Sequence, residues 1–488
     1  MFKSISKRYW LGFLIILISL KVALTFWQNY QLPLDGDIVP IVLPVDRCVP
    51  VLHDPFGWAV ITKNEVYTAP NRFFAHATMG LYWKKVPHFL QTFTNPINSL
   101  YISNALFNTV TQTAILFLLA SYVQLGVGRG RYRWGIWFAA AILMPLFQMV
   151  GYYLQIAIIN HANTYTFFYA FPIMLLLVLF WPFYKAAYQQ QPFRVQPWQA
   201  LLLVLLMVVI AFNGPIAVAA TAVLLLGIGV YWLQYQWHLK LNAEASRTLA
   251  AGWLSGQAIG LLLVLCLLCL YSLYIGRNEA EATVHTQHTL WELYQLLPLG
   301  LYVQTSGQLG LPLLVGLIVL NYQLVRWVVP ASFDRTRVLY IIRGIGFFAI
   351  IFIILIPFGG YRNYRPYLIR NDSILPVTIG LFFAYGVSSY YLIIQLRSHI
   401  RRGYLVLIAL VSVFYLYSDA VFQMPVNNDC ERWALEQISQ SADSIPHIYV
   451  SCNVLSWEPT TNPNNSKLIA EMLHYWGVTN TKKMYYQQ

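Results

Sequence analysis

Apolar runs of roughly twenty residues recur along this chain, each long enough to cross a bilayer as a helix. They fall around Tyr9–Trp27, Leu106–Val127, Trp134–Ile159, Phe167–Tyr184, Ala200–Phe212, Ile216–Leu233, Leu254–Ile275, Leu311–Val329, Val338–Phe358, Leu375–Leu396 and Tyr404–Phe422. An all-α polytopic membrane protein with about eleven transmembrane helices is expected, within ten to twelve. The uncertainty in count comes from Asn213-Gly214-Pro215, which leaves the fifth run short. The fifth and sixth runs read either as two tight spans or as one broken helix. Four regions follow: an N-terminal segment with the first transmembrane helix (1–27), a loop (28–104), a transmembrane region of about ten helices (105–422) and a small tail (423–488).

The two polar regions carry weaker patterns. In the loop, Asn71–Trp83 reads as a short amphipathic helix with Phe73, Phe74, Ala77, Leu81 and Tyr82 on one face. Lys84 and Lys85 follow, and a second such stretch runs from Val86 to Phe93. Aromatic residues beside lysines suit helices lying flat at a membrane interface. The tail reads as helix (Cys430–Ser441), strand (His447–Cys452) and helix (Ser466–Trp476), too little for an independent enzyme core. A cap resting on the outer face is the expectation.

Composition agrees with the pattern. The chain is 58% hydrophobic and 10% charged, against about 25% charged for a soluble domain. Basic residues cluster at Lys3, Lys7 and Arg8; at Arg129, Arg131 and Arg133; and at Lys185 with Arg194. Lys240 with Arg247, Arg335 with Arg337, and Arg397 with Arg401 and Arg402 continue the series. Threading the spans alternately puts all of them on one side, which is then cytoplasmic. The N-terminus lies inside and the C-terminus outside. The formal charge of +13 is thereby accounted for by topology, without a nucleic-acid partner. The first span is long and lacks a small-residue cleavage site, so it reads as an uncleaved anchor. Cys266 and Cys269 sit in a span, where free thiols pack as small apolar groups. Cys48, Cys430 and Cys452 lie outside, where Cys430–Cys452 is the disulfide the tail admits.

Some motifs reach further. Asp35-Gly36-Asp37 follows the first span, and Asn71-Arg72-Phe73-Phe74 lies in the loop. Asn160-His161-Ala162-Asn163-Thr164-Tyr165 precedes the fourth span, and Tyr361-Arg362-Asn363-Tyr364-Arg365-Pro366-Tyr367 precedes the tenth. With this layout the chain resembles the GT-C fold of membrane glycosyltransferases, and more closely a group of uncharacterised bacterial multi-span proteins of GT-C type. The resemblance implies a polyprenyl-phosphate-linked sugar donor, a glycan, lipid or protein acceptor, and a place in the bacterial cytoplasmic (inner) membrane. It also implies an acidic first-loop residue as the base, and His161 and Asn163 in the substrate pocket.

The residues themselves suit that chemistry. A partly desolvated carboxylate at a membrane surface has a raised pKa and becomes a better base, which fits Asp37 with Asp35 beside it. The plainer reading is two aspartates capping a turn around Gly36. Arg362, Arg365 and Arg370 stand on the outer side against the usual bias, and Arg grips phosphate bidentately. Arg72 offers the same from the loop, and Tyr361, Tyr364 and Tyr367 offer walls for a sugar or a prenyl chain. The alternative is a set of arginines snorkelling to lipid headgroups. No metal ligand is assigned and no cofactor is certain. Asp35, Asp37 and His53 admit a divalent metal without a diagnostic spacing, and Glu281, His285, His288 and Glu292 read as a polar loop. The intramembrane charges Lys21 and Asp419 form no chain of the kind transporters use. Three readings follow: a glycosyltransferase, a transporter or flippase for a lipid-linked glycan, and a non-catalytic GT-C-like scaffold. An O-antigen-ligase-like enzyme is a further rival, with its large loop expected later in the chain.

Overall fold

Polar residues and prolines mark where the apolar helices begin. Asn95 accepts a hydrogen bond from the Asn98 amide, and Pro96 opens the helix Pro96–Gly126. Ser255 and Ser332 cap Gly256–Gly276 and Phe333–Leu355 in the same way. Gln196 and Gln199 form a reciprocal capping box ahead of Pro197. Each cap satisfies N–H groups that the first helical turn leaves open, and proline lacks one of them.

The structure is a computed structural model and describes residues 2–128, 134–149, 155–241, 252–281, 288–362, 364–421 and 427–487. Arg129, Arg131, Arg133, Arg247, His285 and Asn363 lie outside the described residues. Among those described, nine helices are long and apolar enough to cross a membrane. They are Tyr9–Tyr30, Pro96–Gly126, Asn163–Gln189, Pro215–Trp237, Gly256–Gly276, Gly310–Trp327, Phe333–Gly359, Leu375–Gln395 and Ser398–Asp419. Two shorter apolar helices, Gly135–Leu146 and Pro197–Ala211, occupy the third and fifth runs. The chain is an all-α, multi-pass membrane protein. The fifth and sixth runs are separate helices, broken at Gly214, whose φ of +133° only glycine adopts readily.

The third run departs from a simple span. Helix Gly135–Leu143 passes into a 3-10 turn, Met144–Leu146, and residues 147–149 and 155–162 are non-helical. Its start packs on Gln124, whereas Asn163 beyond its end donates to the Asn108 side chain at 2.9 Å. The run therefore passes from the level of Gln124 to that of Asn108 along the second span, and its described residues are only partly helical. Irregular backbone at membrane depth is tolerated where protein buries it, and Phe147, Gln148, Met149, Gln155 and Ile156 are all buried. Neighbouring elements engage several of its polar groups. Met149 N–H donates to Asp419 Oδ1 at 2.8 Å, and Gln155 Oε1 accepts from the Leu311 amide at 2.8 Å. Asp419 also pairs with Lys21. The two intramembrane charges that stand apart in sequence thus tie the first span to the last across the break.

The first loop and the tail share one core. Leu34, Ile38, Val42, Met79 and Trp83 pack with Leu435, Ile438, Leu455, Met472, Leu473 and Trp476. The main loop helix is one element, Phe73–Leu90, rather than two short ones, with Pro87 in its last turn. It turns Ala75, His76, Met79, Trp83 and Pro87 inward. Leu81 stays 64% exposed, while Tyr82 donates to the Ser103 carbonyl of the second span at 2.8 Å. In the tail, helices Asp429–Gln440 and Lys467–Tyr475 flank a strand shorter than expected, His447–Ile448. That strand pairs in parallel with Tyr486–Gln487, His447 opposite Tyr486 and Ile448 opposite Gln487. Cys430 and Cys452 are free thiols. Burial, then the neighbouring thiol, pushes Cys452 up to about 12. Cys266 and Cys269 are likewise free.

Candidate functional site

The two aspartates after the first span have different surroundings. Asp35 is buried, and its carboxylate accepts three hydrogen bonds. The Thr164 hydroxyl donates to Oδ1 at 2.6 Å, the Thr164 amide to Oδ2 at 3.1 Å, and the Asp37 amide to Oδ1 at 3.1 Å. Burial raises its pKa to about 6 in spite of these bonds, with a further push from Asp37. Asp35 therefore fastens the loop to the head of the fourth span. Asp37 is half-buried and accepts one hydrogen bond, from Trp457 Nε1 at 3.1 Å. Burial raises its pKa; the Trp457 bond and the Arg47 charge pull it down, and Glu281 pushes it up.

Asp37 faces a cavity of about 520 Å³. The first loop contributes Asp37, Arg47, Arg72 and His76 to its wall. The head of the fourth span contributes Asn160, His161, Thr164, Tyr165, Phe168 and Tyr169. Glu281, then Tyr364 with Arg370, and finally Trp457 of the tail close it. The fourth span opens with a π-helical turn, Thr166–Ala170, at this level. Such turns widen a helix locally and recur at functional sites.

The arginines divide into two kinds. Arg362 donates to Glu281 Oε2 at 2.9 Å and to the Tyr364 hydroxyl at 3.2 Å. Arg365 donates to Asp372 Oδ2 at 2.9 Å and to the Tyr169 hydroxyl. Arg370 grips both oxygens of Asp372, through Nε to Oδ1 at 2.9 Å and through Nη2 to Oδ2. Burial alone raises the Asp372 pKa, but the Arg365 and Arg370 cations hold it below the usual carboxylate range. Arg362 and Arg365 sit behind the cavity wall; Arg370 is part of it, 5.0 Å over the Tyr165 ring and 5.6 Å over Tyr364. Arg72 also lines the cavity and has no carboxylate partner among the described residues. Its Nε is buried without a hydrogen bond, and its guanidinium lies 5.9 Å over Phe168.

Other expected residues fall elsewhere. Tyr364 lines the cavity, whereas Tyr361 packs edge-on against His288 and Tyr367 is 39% exposed, both away from it. Asn163 lies beneath, accepting from Trp83 Nε1 at 3.1 Å and donating to Asn108. His161 stands in the wall; burial of its ring and the Arg370 charge push its pKa down. His76 goes further, to about 3, through burial and then Arg72, and its Nδ1 has no partner. His288 bonds Glu292 within a helix cap, at 3.3 Å. Among the described residues no group of three or more His, Cys, Asp or Glu could hold a metal ion. Arg47, His76, Tyr165, Tyr169 and Trp457 were not among the expected site residues. Arg47 carried the same signal as Arg362, an arginine in a segment expected on the outer side. Trp457 carried none, being 420 positions from Asp37.

No protein-family model matches the chain, and no curated protein matches it in sequence. The site stands on its own chemistry: a carboxylate of raised pKa, three cations and a wall of aromatic rings around one cavity.

Proposed function

We propose that this chain is a membrane glycosyltransferase of GT-C type, moving a sugar from a polyprenyl-phosphate-linked donor to an acceptor on the outer face of a bacterial cytoplasmic membrane. The observation that carries the reading is that Asp37, Arg72 and Arg370 line a single cavity. Asp37 takes the proton of an acceptor hydroxyl as its oxygen attacks the anomeric carbon. The bond from that carbon to the phosphate oxygen breaks, and the lipid phosphate leaves with the electron pair. Arg72 and Arg370 neutralise the developing charge, a role that suits preorganised guanidinium groups in a partly dry site. Arg365 stands behind them and steadies Arg370 through Asp372. The rings of Tyr165, Tyr169 and Tyr364 offer flat surfaces to the sugar.

The test is sugar transfer from polyprenyl-phosphate donors in nanodiscs. Asp37→Asn keeps the shape and removes the basicity, so transfer should fall by the roughly 10²–10⁴-fold of a lost general base. Folding and binding of undecaprenyl phosphate should persist. Full activity in Asp37→Asn removes this residue from the mechanism. A well-folded wild type inactive with every donor favours the scaffold reading.

A transporter or flippase for a lipid-linked glycan is the second reading. It is favoured by one observation: a buried Lys21–Asp419 pair beside irregular intramembrane backbone, a combination that ion-coupled carriers use.

A further inference from the structure

Building on the reaction proposed above, we infer that the C-terminal tail is part of the site, with Trp457 as a positioning residue that orients the Asp37 carboxylate. The indole Nε1–H donates to Asp37 Oδ1 at 3.1 Å, which leaves Oδ2 for an acceptor proton. The indole also forms part of the cavity wall and is 48% exposed.

The approach of tail to loop is built into both partners. A Cβ on Gly36 would lie 2.7 Å from the Trp457 amide nitrogen and 2.9 Å from the Ser456 carbonyl carbon. Only glycine lets the tail backbone come so near. The tail loop is braced internally, by Asn453 Nδ2 to the Trp457 carbonyl at 3.0 Å and by Ser456 Oγ to the Glu458 carbonyl at 2.7 Å. A single buried carboxylate then joins the two segments. Glu431 Oε2 accepts from the Leu34 amide at 2.9 Å, just before Asp35. Its Oε1 accepts from the Leu455 amide at 3.0 Å, two residues before Trp457. A passive cap needs none of this; a residue held in register with a reacting carboxylate needs all of it.

The consequence is electrostatic. An N–H donated to a carboxylate favours its ionised form. Arg47 acts in the same direction and Glu281 against it; Asp35, Cys48 and Tyr165 also couple to Asp37, and Arg72, His76, His161, Tyr169, Tyr364 and Arg370 line the same cavity. Removing the Trp457 donor therefore moves the protonation of Asp37 to higher pH.

The experiment uses the full-length protein labelled with 5-fluorotryptophan in nanodiscs, with Trp457→Phe identifying the Trp457 fluorine resonance. That resonance should titrate in wild type above the ordinary carboxylate range and stay flat in Asp37→Asn. In the transfer assay, Trp457→Phe should shift the acid limb of the pH profile to higher pH. A Trp457 resonance indifferent to Asp37→Asn overturns the inference, as does lowered transfer with an unmoved acid limb. The fluorine titration needs no sugar donor. A protein that shows the coupling but transfers no sugar keeps this contact and loses the proposed reaction.

Discussion

Replacing Asp419 by Ala strips the partner from a buried cation. Lys21 is 7% exposed and Asp419 2%, so neither charge has water to turn to. Removing one side of such a pair costs about 3–5 kcal/mol, because the other charge is stranded. Asp419 Oδ1 also accepts from Met149 N–H at 2.8 Å. Losing that acceptor costs about 1–3 kcal/mol more, in part overlapping the first loss. The double variant Lys21→Met/Asp419→Leu removes both charges and takes from the Met149 amide its side-chain acceptor. It should be more stable than Asp419→Ala by about 2 kcal/mol, roughly 30-fold in the unfolding equilibrium. Reversible unfolding in bicelles measures both. A double variant no more stable than the single one would refute the account of the pair as a tie between spans. The same protein separates the two functional readings. If the pair is a tie, the double variant still transfers sugar; if it couples an ion to transport, the double variant abolishes uptake or flipping while remaining folded.

Four further outcomes are expected. The folded-state pKa of Glu431 is raised by burial from 4.5 to about 7, among Tyr101, Arg432, Cys452 and Tyr485. The folded protein then holds this proton more tightly than the unfolded chain, so stability present at low pH is lost as pH rises through that window, by about 3 kcal/mol. Unfolding measured across pH 4.5 to 7 should show the slope, and Glu431→Gln should flatten it. Gly36→Ala should cost about 1–3 kcal/mol by overpacking and should weaken transfer, since its methyl forces the Trp457 loop outward; unchanged thermal stability counts against that contact. Arg72→Met should weaken undecaprenyl phosphate binding with little loss of stability, because no carboxylate is left behind. Arg365→Met should instead lower stability by about 1–3 kcal/mol, because buried Asp372 keeps only Arg370; calorimetry and lipid-phosphate binding on both variants separate the two roles.

The apolar runs by themselves determined the class and nearly all the helices. A stretch of some twenty apolar residues has one stable form in hydrocarbon, since every backbone group must be satisfied within the segment. Local chemistry went further where it was self-contained: Asn213-Gly214-Pro215 was legible as a break, and the fold makes the runs on either side two separate helices. The third run was legible as apolar but not as irregular. What holds the run in place comes from far away in sequence: Asp419 bonds its Met149 amide, while Leu311 and Tyr415 bond the side chains of Gln155 and Gln148.

The candidate site divides along the same line. Asp35, Asp37, Arg72 and the arginines near residue 365 stood out as charges at loop positions where few are expected. Their different circumstances did not, because a charge is read from a residue and a partner only from a fold. Asp35 is occupied by Thr164, Arg365 by Asp372 and Tyr169, and Asp37 is left facing a cavity. Trp457 reaches Asp37 only because the tail and the first loop bury one shared apolar core. Burial is non-directional and records no sequence order, so which distant segments it joins, and which polar side chains meet at their edges, was decided by the tertiary structure alone.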